Sequence, residues 1–272
     1  MTDDPSTARD RTVSKIDTSV PHSARIWNYW LGGSDNYEVD RIAGDQYREA
    51  FPGIVDVARA SRQFLVRSIR YLARDAGVRQ FLDVGTGLPT VDNTHQVAQR
   101  INPEARIVYV DHDPLVLLHA NALLTSTDEG HTAYLAAELH EPERILAAAA
   151  DHLDLDQPVG LILSGILGHV DTYQEAHALV RRLLDGVAPG SHLSLNEGTD
   201  TDPAYCAAQA VYNDSGAIPY RLRTMDEIRG YFEGLELVDP GVVSVPRWRP
   251  DLASAGHGRR EVGQAGGVGR KP

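Results

Sequence analysis

The residues best placed to do chemistry are Asp83-Val84-Gly85-Thr86-Gly87, which close an apolar stretch beginning at Gln80. A chain leaving a parallel strand must turn sharply if its backbone N–H groups are to face a ligand. Glycines at 85 and 87 permit backbone angles and a close approach that a Cβ would obstruct. Such a turn suits a nucleotide. A dinucleotide fingerprint wants a third glycine at the sixth position, for tight helix–strand packing. Here that position is Thr90, preceded by Pro89. Asp83 stands directly before the turn, where a carboxylate opposes a pyrophosphate but favours the sulfonium and ammonium groups of S-adenosylmethionine. The cofactor expected from these residues is therefore S-adenosylmethionine.

Two further acidic residues extend the site. Asp111 ends the next apolar run, RIVYVD, 24 positions after Gly87 (111 − 87). A carboxylate there can take both ribose hydroxyls of an adenosine, the usual interval being about 20 residues. His112 would border the adenine, while Asp113 before Pro114 reads as a helix cap. Glu138, just past a third strand, can accept the adenine amino group, with the Leu139 N–H beside it. Ser164, just after the fourth strand, completes the expected cofactor set of Asp83, Gly85, Thr86, Gly87, Asp111, His112, Glu138, Leu139 and Ser164.

Candidate bases are His169, after the fourth strand, and Glu197, after the fifth; a histidine there could deprotonate a hydroxyl or amine near neutral pH. In-line attack on a sulfonium can also proceed by positioning alone when the acceptor is already nucleophilic. No metal site is expected: the 11 histidines are scattered without ligand spacing. Neither a G-x-S-x-G elbow nor a Walker loop is present.

The elements that must position these residues alternate. Short apolar strands are expected at Gln80–Val84, Arg106–Val110, Thr132–Leu135, Val159–Leu163 and His192–Leu195. Helices are expected between them, at about 93–100, 114–124, 142–150 and 173–187. Near-continuous apolar strands alternating with helices predict an α/β, Rossmann-like fold with a mainly parallel sheet covered on both faces. Leu235–Val238 and Val242–Val245 could add a hairpin-like end through Pro240-Gly241. Residues 1–20 and the Gly- and Arg-rich stretch from 251 to 272 lack an apolar period and are expected to be disordered. Residues 21–78 read as a helical cap or lid, including the long candidate Ile54–Ala76, and 79–250 as the cofactor-binding domain. The arginines of that long helix (Arg59, Arg62, Arg67, Arg70, Arg74) are expected on solvated surface.

With 272 residues, of which 42% are hydrophobic, the chain can bury a sizeable core. Its net charge of -12 disfavours nucleic acid as a partner. No stretch is long enough to span a membrane, and the polar N-terminus has no secretory character. The lone Cys206 fits a reducing cytoplasm. The expected partner is a small-molecule acceptor, with homodimerisation left open.

These blocks resemble an S-adenosyl methyltransferase family abundant in actinobacteria, long catalogued as a domain of unknown function. The resemblance spans roughly residues 16–250. It is carried by Pro21–Arg25, Trp30-Leu31-Gly32-Gly33, Asp35-Asn36-Tyr37, Arg79–Asp83, Gly85–Thr90, His95, Val108–Asp111 with Asp113-Pro114, and Trp248-Arg249-Pro250. It implies a class I methyltransferase fold with a seven-stranded sheet, the methionine near Asp83, Gly85 and Gly87, the ribose at Asp111 and the adenine near Glu138. Two departures stand out: the resemblance implies histidine at 168, where this chain has glycine, and Ser-His where it has Asn196-Glu197. The helical cap could form a lid excluding water, with Arg25, Tyr29, Gly33, Asp35, Asn36 and His95 as lid or substrate candidates. Asp35 and Asn36 are ranked above Trp27 and Trp30. The leading expectation is methyl transfer. The alternatives are a cofactor-binding protein without turnover and a dinucleotide-dependent oxidoreductase.

Overall fold

The computed structural model describes residues 17–116, 118, 126–250 and 260–272. Five strands pair in parallel in the order β3-β2-β1-β4-β5: β1 Gln80–Val84, β2 Arg106–Asp111, β3 His131–Ala136, β4 Val159–Ser164 and β5 His192–Gly198. They are the five expected strands, each within a few residues. Sequential strands joined by helical crossovers carry the turn after β1 and the ends of β2, β4 and β5 to one edge of the sheet.

Among the described residues, three helices precede the sheet: α1 Ser23–Trp30, α2 Glu38–Ala50 and α3 Ile54–Arg74. The helices α4 Thr94–Ile101, α5 Pro142–Ala149 and α6 Tyr173–Asp185 match expectation closely. Another helix starts at Pro114, and most of its expected course lies outside the described residues. After β5 come α7 Pro203–Asn213 and α8 Met225–Gly230.

The C-terminal end departs from expectation. Residues 264–270 are not a disordered tail but strand β8, Gln264–Arg270, buried except at its last residue. It pairs antiparallel with β5 over seven residues, Gly198↔Gln264 through His192↔Arg270. The short strands β6 Glu236–Leu237 and β7 Val243–Ser244 do not pair as a hairpin; both lie antiparallel on the other edge of β8. Among the described residues the sheet therefore has eight strands rather than seven, mixed rather than parallel throughout. Glycines explain why β8 escapes a hydrophobic-pattern reading. A Cβ at Gly266 would stand 2.5 Å from the Leu195 carbonyl oxygen, and one at Gly269 3.0 Å from Phe232 and Leu235. Close approach of neighbouring chain, not apolar side chains, selects these residues.

The expected N-terminal unit also divides differently. Phe64, Ile69 and Leu72 of α3 pack into the sheet core with Phe81, Ile107, Ile162 and Val268. Ile54, Val57 and Ala58, from the same helix, join Ile26, Trp30, Tyr47, Tyr205 and Ala208 in a separate cluster. The cap is thus α1, α2 and α7 seated on the start of α3. Arg67, expected on solvated surface, is buried and donates to the Trp248 and Val245 carbonyls at 2.9 and 2.6 Å. The arm expected through residue 20 lies mostly outside the described residues. At its end, Arg25 donates to the carbonyls of Asp17 and Val20.

Candidate functional site

The turn after β1 takes the form its glycines predict. Gly85 and Gly87 have φ of +74° and +64°, in the left-handed region, and a Cβ at Gly85 would come within 2.4 Å of Ile166. The Gly85 and Thr86 N–H groups donate to the Val110 carbonyl at 2.9 and 3.3 Å, which ties the turn to the end of β2. The Gly87 N–H donates to Asp111 Oδ2 at 2.8 Å. Asp111 Oδ1 accepts from the N–H groups of His112 and Asp113 at 2.8 and 3.0 Å. A carboxylate offers about four lone-pair sites, so roughly one of them is left for a ligand.

Asp83 is buried, and Thr94 Oγ1 donates to its Oδ2 at 2.6 Å. Burial pushes its pKa up to about 6; the Thr94 hydrogen bond and the charge of Arg62 hold it from rising further. Arg62 is itself fixed by the Val91 carbonyl and Asn93 Oδ1 at 2.8 and 3.1 Å.

The glycine turn, Asp83, Asp111, His112, Arg62 and Thr94 line one cavity of about 370 Å³, within the range of small-ligand pockets. Every expected cofactor residue is on its wall. Glu138 is at its exposed side, 3.8 Å from His112 Nδ1, Leu139 is buried, and Ser164 donates to Asn196 Oδ1 at 2.9 Å. Among the described residues, Thr90 Oγ1 and Tyr134 Oη on this wall are buried with no hydrogen-bond partner. A glycine cradle, two carboxylates and orphaned hydroxyls form a donor set that fits an adenosine-bearing cation.

A sequence profile described as S-adenosyl methyltransferase matches residues 9–272. The chain belongs to that family. It is a methyltransferase that uses S-adenosylmethionine, which decides against the dinucleotide alternative. A DUF574-family protein of Streptomyces avermitilis MA-4680 is 43% identical, with a TM-score of 0.88, over 95% of this chain and 100% of its own. A candidate methyltransferase of Thermobifida fusca YX is 37% identical, with a TM-score of 0.83, over 98% of both chains. An S-adenosylmethionine-dependent methyltransferase of Anabaena variabilis ATCC 29413 shares the fold at 14% identity and a TM-score of 0.51, over 92% of this chain and 93% of its own. Among curated proteins none matches the sequence.

Of the two expected bases of the methyltransferase, only His169 reaches the cavity. His169 lines the cavity, in a 3₁₀ turn (Leu167–His169) after β4. Its Nδ1 lies 2.9 Å from the Pro219 carbonyl oxygen, which can only accept, so Nδ1 carries the proton. Burial lowers its pKa, which leaves a neutral ring with an unprotonated Nε2. Glu197 is fully buried and is not on the cavity wall. Its carboxyl accepts from Leu167 N at 2.8 Å, Gly168 N at 3.2 Å and the Tyr220 hydroxyl at 2.5 Å. Burial raises its pKa to about 7. Glu197 therefore holds the His169 turn and Tyr220 in place rather than meeting the acceptor.

The cap residues also sort differently from expectation. Arg25 is consumed by Asp40 (2.9 Å) and by carbonyls, and Tyr29 donates to Asp45 at 2.9 Å. Gly33 and Asn36 build a turn around Asn28, whose Oδ1 also accepts from Asp35 N. None of Arg25, Tyr29, Gly33, Asp35 or Asn36 lines the cavity, whereas Trp27, Asn28 and Trp30 do. His95 is on the wall, buried, with Nδ1 2.8 Å from Tyr109 Oη. Tyr205, Gln209, Tyr212, Ile218, Tyr220 and Gln264 also line the cavity, and sequence reasoning missed all six. The apolar spacing of Tyr205, Ala208 and Tyr212 is a helical signal for α7. Nothing local marks Tyr220 or Gln264.

Proposed function

We propose that this methyltransferase acts on a small-molecule acceptor in the cytoplasm, with His169 as general base. The carrying observation is the cavity itself, which runs from the glycine turn to a compartment walled by α1 and α7. A cavity of about 370 Å³ under a helical cap suits a small molecule rather than a polymer. The acidic net charge further disfavours nucleic acid, and the lone cysteine suits a reducing compartment.

When bound, S-adenosylmethionine supplies an electrophilic methyl group. Asp83 would face the positively charged methionine portion, Asp111 would hold the ribose, and Glu138 with the Leu139 N–H would hold the adenine. Gly85, Thr86 and Gly87 let the backbone approach, while His112 and Ser164 flank the ligand. His169 Nε2 would take the proton that the acceptor loses on methylation. The cap excludes water from that step.

Calorimetry tests the cofactor assignment. S-adenosylhomocysteine should bind and NAD should not. Asp111→Ala should weaken S-adenosylhomocysteine binding by about 10- to 100-fold, since a hydrogen bond to a charged group contributes about 1.5–3 kcal/mol. Unchanged affinity would sink the assignment. In a radiolabelled methyl-transfer screen against small-molecule extracts, His169→Ala should slow transfer about 10²- to 10⁴-fold with S-adenosylhomocysteine affinity intact. A screen that stays blank for the native protein would favour cofactor binding without turnover.

A further inference from the structure

The half of the cavity remote from the glycine turn has a chemistry of its own. Its walls come from α1, α2, α7, the loop after α7 and β8, and six rings face it: Trp27, Trp30, Tyr47, Tyr205, Tyr212 and Tyr220. The charged side chains on the cavity wall, Arg62, Asp83, Asp111 and Glu138, all belong to the cofactor half. An ionised acceptor would find no counter-charge among the rings, whereas an uncharged planar one would find aromatic faces and edges to stack on.

A buried amide in this compartment is only partly satisfied among the described residues. Gln264, at the start of β8, is 2% exposed and lines the cavity, and its Oε1 has no hydrogen-bond partner. Its place is set by the sheet. It pairs in register with Gly198, and neither Gly198 nor Gly263 has a side chain to fill the space that Tyr205 occupies. A Cβ at Gly263 would lie 2.6 Å from the Tyr205 ring, and one at Gly198 3.1 Å from Tyr205 Oη and 3.2 Å from Tyr220 Cε1. Gln264 therefore sits among these rings. Gln209, the other amide on the wall, is already committed: Tyr47 Oη donates to its Oε1, and its Nε2 donates to Asn213. A buried carbonyl oxygen without a donor is uncommon and calls for a partner.

We propose that Gln264 recognises the methyl acceptor, accepting a hydrogen bond at Oε1 from the O–H or N–H of an uncharged aromatic molecule stacked in this compartment. This rests on the cavity being the methyl-transfer site. Gln264 orients the acceptor and sets its specificity; it takes no part in the proton transfer assigned to His169. The donor requirement separates molecules of nearly the same shape, because a buried acceptor left unpaired penalises the analogue that lacks the hydrogen.

The test uses the full chain saturated with S-adenosylhomocysteine, titrated by calorimetry with 2-naphthol, 2-methoxynaphthalene and 2-naphthoate. 2-Naphthol should bind at least about tenfold more tightly than either of the others. Gln264→Leu should bring 2-naphthol down to the affinity of 2-methoxynaphthalene while leaving S-adenosylhomocysteine affinity unchanged. Gln264→Met is the second variant should leucine disturb folding. Equal binding of naphthol and its methyl ether to the native protein overturns the proposal, as does an undiminished preference in either variant. Binding of none of the three overturns the aromatic class. Failure of S-adenosylhomocysteine itself to bind is a separate outcome, and it would remove the underlying cofactor reading as well.

Discussion

Replacing Gly168 by alanine tests whether the two unusual positions of this chain, Gly168 and Glu197, work as one unit through Tyr220. A Cβ at 168 would lie 2.3, 2.4 and 2.6 Å from Tyr220 Cε2, Cζ and Cδ2. That ring cannot easily give way. Its hydroxyl donates to Glu197 and accepts from Gly198 N at 3.1 Å, and its ring packs nearly perpendicular to that of His169 with centroids 5.2 Å apart. Gly168 lies outside the left-handed region, so the backbone itself tolerates alanine and the cost is steric. Overpacking a closed site costs about 1–3 kcal/mol. Displacing the ring also breaks its bond to the buried carboxyl, about 1–3 kcal/mol more. A total near 3 kcal/mol corresponds to a fall in Tm of roughly 10 °C for a domain of this size. Thermal unfolding of Gly168→Ala, Tyr220→Ala and the double variant reads this out as a double-mutant cycle. In the Tyr220→Ala background the added methyl should cost less than about 0.5 kcal/mol. An equal cost in both backgrounds would refute the reasoning, because the destabilisation would then not pass through Tyr220.

Other outcomes follow from the same geometry. Glu197 titrates near 7 when folded because it is buried, above its ordinary carboxylate value, so its ionisation opposes folding. Its penalty is absent below the unfolded pKa of about 4.3 and complete above the folded one, so stability should decline as pH rises between them. Glu197→Gln should flatten that decline in denaturant titrations across the range, and an unaltered slope would show that another group is responsible. Asp83, raised by burial to about 6, attracts a cation only when ionised. S-adenosylmethionine affinity should therefore drop about tenfold between pH 7 and pH 5, and Asp83→Asn should abolish the dependence; calorimetry across that range is decisive. Removing residues 263–272 strips β5 of its antiparallel partner, together with the Lys271 Nζ bonds to the Leu184 and Val187 carbonyls. The truncated chain should not yield soluble folded protein; a cooperative thermal transition with retained cofactor binding would contradict this.

How much of the molecule was legible beforehand depended on whether the signal was local. The turn at Gly85 and Gly87 was readable because left-handed backbone almost demands glycine, and the two φ values bear this out. Strands β1, β2 and β4 were readable because burial on both faces makes them unbroken apolar runs. Strand β8, QAGGVGR, offered no such run, since its residues answer to the carbonyls and side chains of β5 and of Phe232 and Leu235. The cap candidates were misranked for a related reason. Asn36 looks functional on a loop after two glycines, yet its amide is spent on Asn28 and Gly33, while the tryptophans that look like core also border the cavity.

The sequence by itself determined the glycine-turn half of the cavity: the strand, the glycine turn, and the carboxylates of Asp83 and Asp111 lie within 32 consecutive residues (80 to 111), close enough for spacing to encode geometry. Only the tertiary structure decided the half remote from the glycine turn. Tyr220 and Gln264 reach the cavity from a loop after α7 and from the last strand, and Glu197 turns away from it to hold that loop. Those positions are fixed by long-range pairing of β8 with β5 and by the packing of one ring over two glycines, Gly168 and Gly198. Such contacts form between residues far apart in the chain, and no period or motif in the sequence records which of them will meet.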